Sequence, residues 1–318
     1  MDRTLSLLTP SGRLTLGNLL GALRPMAAGQ HDTDCFYGIA DLHAMTTPHE
    51  PVRLRSLVQE TATLMLAAGL DAATLFVQSR VPAHSQLAYL LECTATTGEL
   101  NRMIQFKEKG RGVDSTRASL YTYPALMAAD ILLYRPRQVP VGADQRQHVE
   151  LTRDLALRFN RRYGPVFTVP EITVPAAGAR VMRLDDPTRK MGKSDEDAGG
   201  VVLLLDPPDV VRRKVGRAVT DSDTGPDAVR SAPDKPGVSN LLDVLAASGG
   251  SVAGITTYGA LKRAVTDAVV AVLEPLQRRY AELAADPAHV RSVFDAGAER
   301  CREVTAPVLA DAQSAMGL

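Results

Sequence analysis

The sequence predicts an α/β protein, with a doubly wound parallel sheet over residues 1–184 and a smaller helical domain behind it. Three observations carry that reading. Short apolar runs alternate with segments of helical spacing through the first half of the chain, as strands do when crossover helices cover both faces of their sheet. The alternation stops near Asp185, beyond which helical patterns follow one another. Of the 318 residues, 45% are hydrophobic and 23% charged, ordinary globular usage that argues against a disordered, collagen-like or coiled-coil chain. This length corresponds to one large domain or two smaller ones at roughly 150 residues each, and it buries enough surface to fold without disulfides or a metal.

Each element has its own signal. Residues 4–8 form an apolar run that ends at Pro10-Ser11-Gly12, and residues 16–28 follow with Leu16, Leu19, Leu20 and Leu23 on one side. The order is strand, turn, helix. Residues 35–40, CFYGIA, are a second buried strand. Pro51 opens a helix whose face holds Leu54, Leu57, Val58, Thr61, Leu64, Met65 and Ala68, and Gly69 closes it, the polarity that proline and glycine impose on helix ends. Residues 75–78 read as a third strand, 85–97 as a helix, 139–141 as a short strand and 144–160 as a long charged helix. After Asp185, Gly199-Gly200 precedes a strand-like run at 201–205, Asp206-Pro207-Pro208 starts a basic helix, and longer helical segments follow. Residues 185–274 are assigned to the helical domain, and the last helices, 275–318, are expected to pack back on the first.

Charge and cysteine content narrow the functional classes. The 36 basic and 36 acidic residues cancel, so an anionic partner must be met by a local patch rather than a global field. Cys35, Cys93 and Cys301 are too few and too dispersed for a disulfide framework or a metal knuckle, and the six histidines show no metal-ligand spacing. The first residues lack the apolar core of a signal peptide, and no apolar run reaches the roughly 18 residues of a membrane span. A cytoplasmic protein with no membrane partner is expected.

Four groups of residues suit chemistry at the carboxyl edge of such a sheet. The segment PSGRLTLGN turns a strand into a helix, where free amides and the helix dipole attract an anion and Gly17 permits close approach. The alternative there is a plain turn and cap. Lys190-Met191-Gly192-Lys193-Ser194 places two ammonium groups and a hydroxyl in one loop, able to neutralise a leaving pyrophosphate or simply to face water. Asp130 sits within ALMAADILLY on one helical face with Tyr123 and Met127. A carboxylate buried there needs donors: either a structural partner, or one N–H or O–H brought by a flat apolar ligand. Gly142-Ala143-Asp144-Gln145 opens a helix after a short strand, where Asp144 also suits a cap. His43, after the second strand, is either a core histidine or a site residue.

Taken in order, these pieces resemble the bacterial tryptophanyl-tRNA synthetases, a family of class I aminoacyl-tRNA synthetases. The first class I signature corresponds to Thr15-Leu16-Gly17-Asn18, and the second, Lys-Met-Ser-Lys-Ser in its usual form, to Lys190 to Ser194 with glycine at its centre. Further similarity runs through FYGIADLHA, VPAH, MIQFKEKG, YPALMAADILLY, VPVGADQRQHVELTRDLALRFN, AVTDSD, KPGVSNLL and the closing MGL.

The resemblance implies a Rossmann-like class I catalytic domain that activates L-tryptophan with ATP and transfers it to tRNA(Trp), with Mg²⁺ on the phosphates. It implies that Thr9, Pro10, Ser11, Gly17 and Asn18 form the ATP wall, with Gly142, Ala143, Asp144 and Val181 around ribose and adenine. Lys190, Met191, Gly192, Lys193 and Ser194 would hold the phosphates with Lys109, and catalysis would fall to Lys190, Lys193, Ser194, Thr15 and Asn18. Asp130 would accept the indole N–H, in a slot shaped by Tyr123, Met127, Val139 and Val141, with Gln145 and His43 on the amino acid. Members are homodimers whose helical domain reads the anticodon, and Arg212, Arg213, Lys214 and Arg217 are a candidate basic patch. The sequence departs from the family at Thr9, usually glutamine, and at Leu5 and Leu7, usually aromatic and glycine. These changes line the mouth of the site and suggest an auxiliary form insensitive to indolmycin. A tyrosyl-tRNA synthetase, a catalytically silent tryptophan- or RNA-binding regulator and another adenylate-forming transferase are the competing readings.

Overall fold

A computed structural model describes residues 2–109, 116–140, 145–173, 180–193, 199–225 and 227–318. β1 (Arg3–Leu8) leads into α1 (Leu16–Asn18), a π-helical turn at Leu19–Leu23 and α2 (Arg24–Gly29), which run on as one helix. β2 (Asp34–Ile39), α3 (Asp41–Ala44), α4 (Pro51–Ala67) and β3 (Thr74–Val77) follow. The three strands are parallel in the order β1-β2-β3, with Thr4 opposite Cys35 and Phe36 opposite Thr74. Side chains alternate across this sheet. Phe36 and Phe76 enter one core cluster, while Tyr37, Ile39 and Leu75 enter the other.

The chain then builds α5 (Ala83–Glu92), α6 (Thr97–Leu100), α7 (Ile104–Lys109) and α8 (Ala118–Tyr134), followed by β4 (Gln138–Pro140), α9 (Arg146–Tyr163) and β5 (Glu171–Thr173). β4 and β5 form a second parallel ladder, and β4 lies against β1. The strand sequence thus runs outward in opposite directions from the β1–β4 junction, the kind of switch point at which doubly wound sheets bind ligands.

Most expected elements are present, with shifts that have local causes. The helix expected at 85–97 ends at Glu92, and Thr96 starts α6 through a capping box with Glu99, which satisfies donors that a continuous helix would not have exposed. The strand expected at 201–205 is a correction. Residues 201–204 are buried, but among the described residues the run makes only one bridge, Thr15 to Leu203, with Leu16 N–H donating to Val202 and Leu204 N–H to Leu14, and Leu204-Leu205 already turn. Asp206 accepts the Leu203 amide and Pro207-Pro208 follow, so the chain turns into a helix before a ladder can extend. Val141 and Asp144, the ends of two expected elements, lie outside the described residues.

The C-terminal part consists of α10 (Pro208–Gly216), α11 (Pro236–Ala247), α12 (Tyr258–Ala284) and α13 (Pro287–Met316). α12 packs on α10, α11 and α4, whereas α13 lies along β3, α5 and α8. Gly297 permits the latter contact: a Cβ there would stand 1.8 Å from the Leu75 carbonyl oxygen. One hydrophobic cluster runs from Leu8, Ile39 and Leu64 through Val202 and Leu204 to Leu241 and Val265, so sheet and helical part share a core. Among the described residues no helix is long and apolar enough to cross a membrane.

Candidate active site

A cavity of about 700 Å³ opens at the β1–β4 junction. Of the residues singled out in the sequence, Thr9, Ser11, His43, Tyr123, Met127, Asp130, Val139, Gln145, Lys190 and Lys193 line it, together with Leu5, Leu7 and Ile131. One end is an apolar slot with a carboxylate at its base. The other carries lysines.

Asp130 is 1% exposed, and three side chains donate to it. Its Oδ1 accepts from Gln78 Nε2 at 2.7 Å and from His84 Nδ1 at 2.6 Å, and its Oδ2 meets His43 Nε2 at 2.7 Å. Burial opposes ionisation, but the interaction with His43 and the hydrogen bonds from His43 and His84 prevail and hold the carboxyl at about 2. It is therefore a carboxylate at neutral pH, with two donors on Oδ1 and one on Oδ2. An oxygen with two lone pairs retains one acceptor position on the Oδ2 side. Tyr123 stands edge-on to His43, ring centroids 6.1 Å apart, and its hydroxyl is hydrogen-bonded to His148. Burial raises the Tyr123 hydroxyl well above its ordinary value, so it stays protonated.

The lysine end is assembled by close backbone contact. A Cβ on Gly12 would lie 2.3 Å from the Lys193 carbonyl oxygen, and one on Gly17 would lie 3.3 Å from that of Met191. Both glycines thus let residues 190–193 rest on the turn after β1. Met191 N–H donates to Val181 at 3.0 Å, and Met182 bridges to Lys190. Lys193 Nζ reaches back to the Thr9 carbonyl, and burial pushes its ammonium down to about 8. Lys190 is exposed. Thr15 is fully buried, and both its amide and its hydroxyl bond to Asn18 Oδ1, at 3.0 and 3.1 Å. Through these two bonds Thr15 orients the Asn18 side chain.

Pro10, Val181 and Met191 are buried in the framework behind the cavity, and Gly192 sits in the loop between the lysines. Val141, Gly142, Ala143, Asp144 and Ser194 lie outside the described residues, as does the Lys109 side chain. Lys214 of the expected basic patch is engaged by Asp206 at 2.7 Å, while Arg212, Arg213 and Arg217 are exposed. Sequence reasoning missed Gln78, His84 and Gly12. VPAH and PSG were visible as strings, but nothing in their spacing states that His84 meets a residue 46 positions away.

A family model described as tRNA synthetases class I (W and Y) matches residues 3–274. Tryptophan–tRNA ligase 1 of Streptomyces coelicolor is 53% identical, with 100% of this chain and 98% of that protein aligned. Among solved structures, tryptophanyl-tRNA synthetase from Mycoplasma pneumoniae superposes with a TM-score of 0.87 at 36% identity, covering 100% of this chain and 98% of that one. The tryptophanyl-tRNA synthetase from Campylobacter jejuni, complexed with ADP and tryptophan, gives 0.85 at 30% identity over 99% and 100%.

Proposed function

The chain belongs to the class I tRNA synthetases of the tryptophan and tyrosine type, and from that premise we infer how its residues activate tryptophan with ATP and charge tRNA. The observation that carries the assignment of roles is the ionised Asp130 at the base of an apolar slot whose far end holds Lys190 and Lys193. A flat ring with one N–H satisfies such a slot, with Tyr123, Met127, Ile131 and Val139 on its faces. A phenol, which both donates and accepts, would call for a second polar group.

The tryptophan carboxylate oxygen attacks the α-phosphorus of ATP, the bond to the bridging oxygen breaks, and pyrophosphate leaves. A terminal ribose hydroxyl of tRNA then attacks the acyl carbon and releases AMP. No covalent enzyme intermediate is needed, since positioning and charge neutralisation carry such displacements. Lys190 and Lys193 neutralise the departing pyrophosphate. Thr9, Pro10, Ser11, Gly17 and Asn18 hold ATP against the β1 turn with Val181 behind it, and Gln145 and His43 contact the amino acid. Mg²⁺ would be carried on the ATP phosphates and would lower the charge that Lys190 and Lys193 meet, since this ion commonly takes most of its ligands from phosphate and water.

Residues 185–274 form the anticodon-reading part, where Arg212, Arg213 and Arg217 offer exposed charge. A cytoplasmic homodimer is the assembly proposed. Thr9 and the leucines at the mouth support an auxiliary, indolmycin-insensitive form.

The test of the slot is substitution at Asp130. Asp130→Asn keeps size and an acceptor, whereas Asp130→Ala leaves the indole N–H buried without a partner, and it is expected to cost about 2 to 3 kcal/mol in kcat/KM for tryptophan. The chain contains no Trp, so the ligand tryptophan, free or bound, is the only indole fluorophore in a titration. Unchanged affinity in both variants would assign Asp130 to the framework.

A further inference from the structure

Behind Asp130 lies a buried polar chain that the reaction does not use directly. His84 is fully buried, its Nδ1 2.6 Å from Asp130 Oδ1 and its Nε2 3.0 Å from the Tyr134 hydroxyl, and Tyr134 lies beside Cys301 on α13. A carboxylate only accepts, so His84 must present N–H at Nδ1. When the ring carries only that proton it accepts at Nε2, which makes the Tyr134 hydroxyl the donor there. The direction of the His84–Tyr134 bond then follows from the first.

Burial supports this ordering. The Tyr134 hydroxyl is raised far above its ordinary value and the Cys301 thiol is pushed up to about 12, in both cases chiefly by burial, so both keep their hydrogens. The His84 ring is stacked near Phe76, centroids 5.8 Å apart at 21°, and lies 5.6 Å from Tyr134. It cannot swing to another partner without opening the core.

We propose that His84 and Tyr134 are positioning residues for amino-acid selection: they fix two hydrogen bonds' worth of geometry at Asp130 Oδ1 with Gln78, and so aim the remaining acceptor position of Oδ2 at the substrate's ring N–H. Without the Tyr134 hydroxyl, the His84 proton is free to move to Nε2, and a nitrogen lone pair then faces the carboxylate. Asp130 turns or takes up a proton, and the slot discriminates less sharply. The second half of this inference rests on the reading that Asp130 accepts the indole N–H.

The experiment is ATP–pyrophosphate exchange with tryptophan and with 3-(1-benzothiophen-3-yl)alanine, in which sulfur replaces the ring N–H. The ratio of their kcat/KM values does not depend on the fraction of protein that is folded. Tyr134→Phe is expected to lower the ratio by about threefold to tenfold, through KM for tryptophan, with the analogue little changed. His84→Leu should do at least as much, and His84→Asn, which keeps an N–H toward Asp130, should restore part of it. Asp130→Asn is the reference. If it lowers the ratio while Tyr134→Phe and His84→Leu leave the ratio unaltered or impair both substrates equally, the positioning role is overturned and the indole reading stands. If Asp130→Asn leaves the ratio unaltered, the indole reading fails and the positioning role fails with it.

Discussion

An ammonium held at about 8 is charged at neutral pH yet within reach of titration, and Lys193 owes that position to burial beside the Thr9 carbonyl. Its ordinary value is 10.5, so the protonated form is present below about 8 and is lost as the pH rises through it. The free enzyme should therefore lose kcat/KM for ATP above about pH 8. Lys193→Arg, charged throughout this range, should remove that alkaline limb even if its maximal rate is lower. Lys193→Ala should reduce kcat for adenylate formation by about 100-fold to 1,000-fold with tryptophan affinity little changed, the usual cost of one preorganised donor at developing charge. Equal loss of ground-state affinity with kcat intact would remove the lysine from this role. Thr9 raises a different question at the same place. It replaces a long amide able to donate and accept, and a lost contact of that kind costs about 0.5 to 1.5 kcal/mol. Thr9→Gln is expected to tighten indolmycin inhibition. Tight inhibition of the wild type, unmoved by the substitution, would discard the auxiliary reading alone.

Between elements, the turn after β1 and the 190–193 loop act as one unit because glycine lets their backbones touch. Gly12→Ala must displace the Lys193 carbonyl, which moves the ammonium with it. The expected result is a rise in KM for ATP and a fall in kcat, with the melting temperature reduced by only a few degrees, since the displaced segment is short and bounded by exposed Lys190. An unchanged rate would show that this contact does not place the lysine. The same paired segments explain what local pattern misses. Leucine and valine at 201–205 read as a strand because the run is apolar and short, but burial alone does not supply a ladder: Val202 and Leu204 bond to residues 16 and 14, while Leu203 is already engaged in the turn by Asp206. Thr96 and Glu99 have the spacing of a capping box, a local signal that reading 85–97 as one helix does not include.

At the scale of the whole molecule, the parallel sheet was legible because buried strands and their covering helices have different periods, and the two lysines and Asp130 were legible because charge in those settings needs a reason. The order of β4 beside β1 was not legible, nor was the convergence of Gln78, His84 and His43 on one carboxylate: such contacts are made by crossing helices and carry no period along the chain. What the assembled molecule must do is discriminate one amino acid at a site where an apolar slot ends in a carboxylate and begins at the lysine-bearing turn. ATP–pyrophosphate exchange, run with each of the twenty amino acids in turn, measures that discrimination without requiring tRNA. The account predicts exchange with tryptophan alone. Exchange driven by tyrosine, or none with any amino acid, would contradict it.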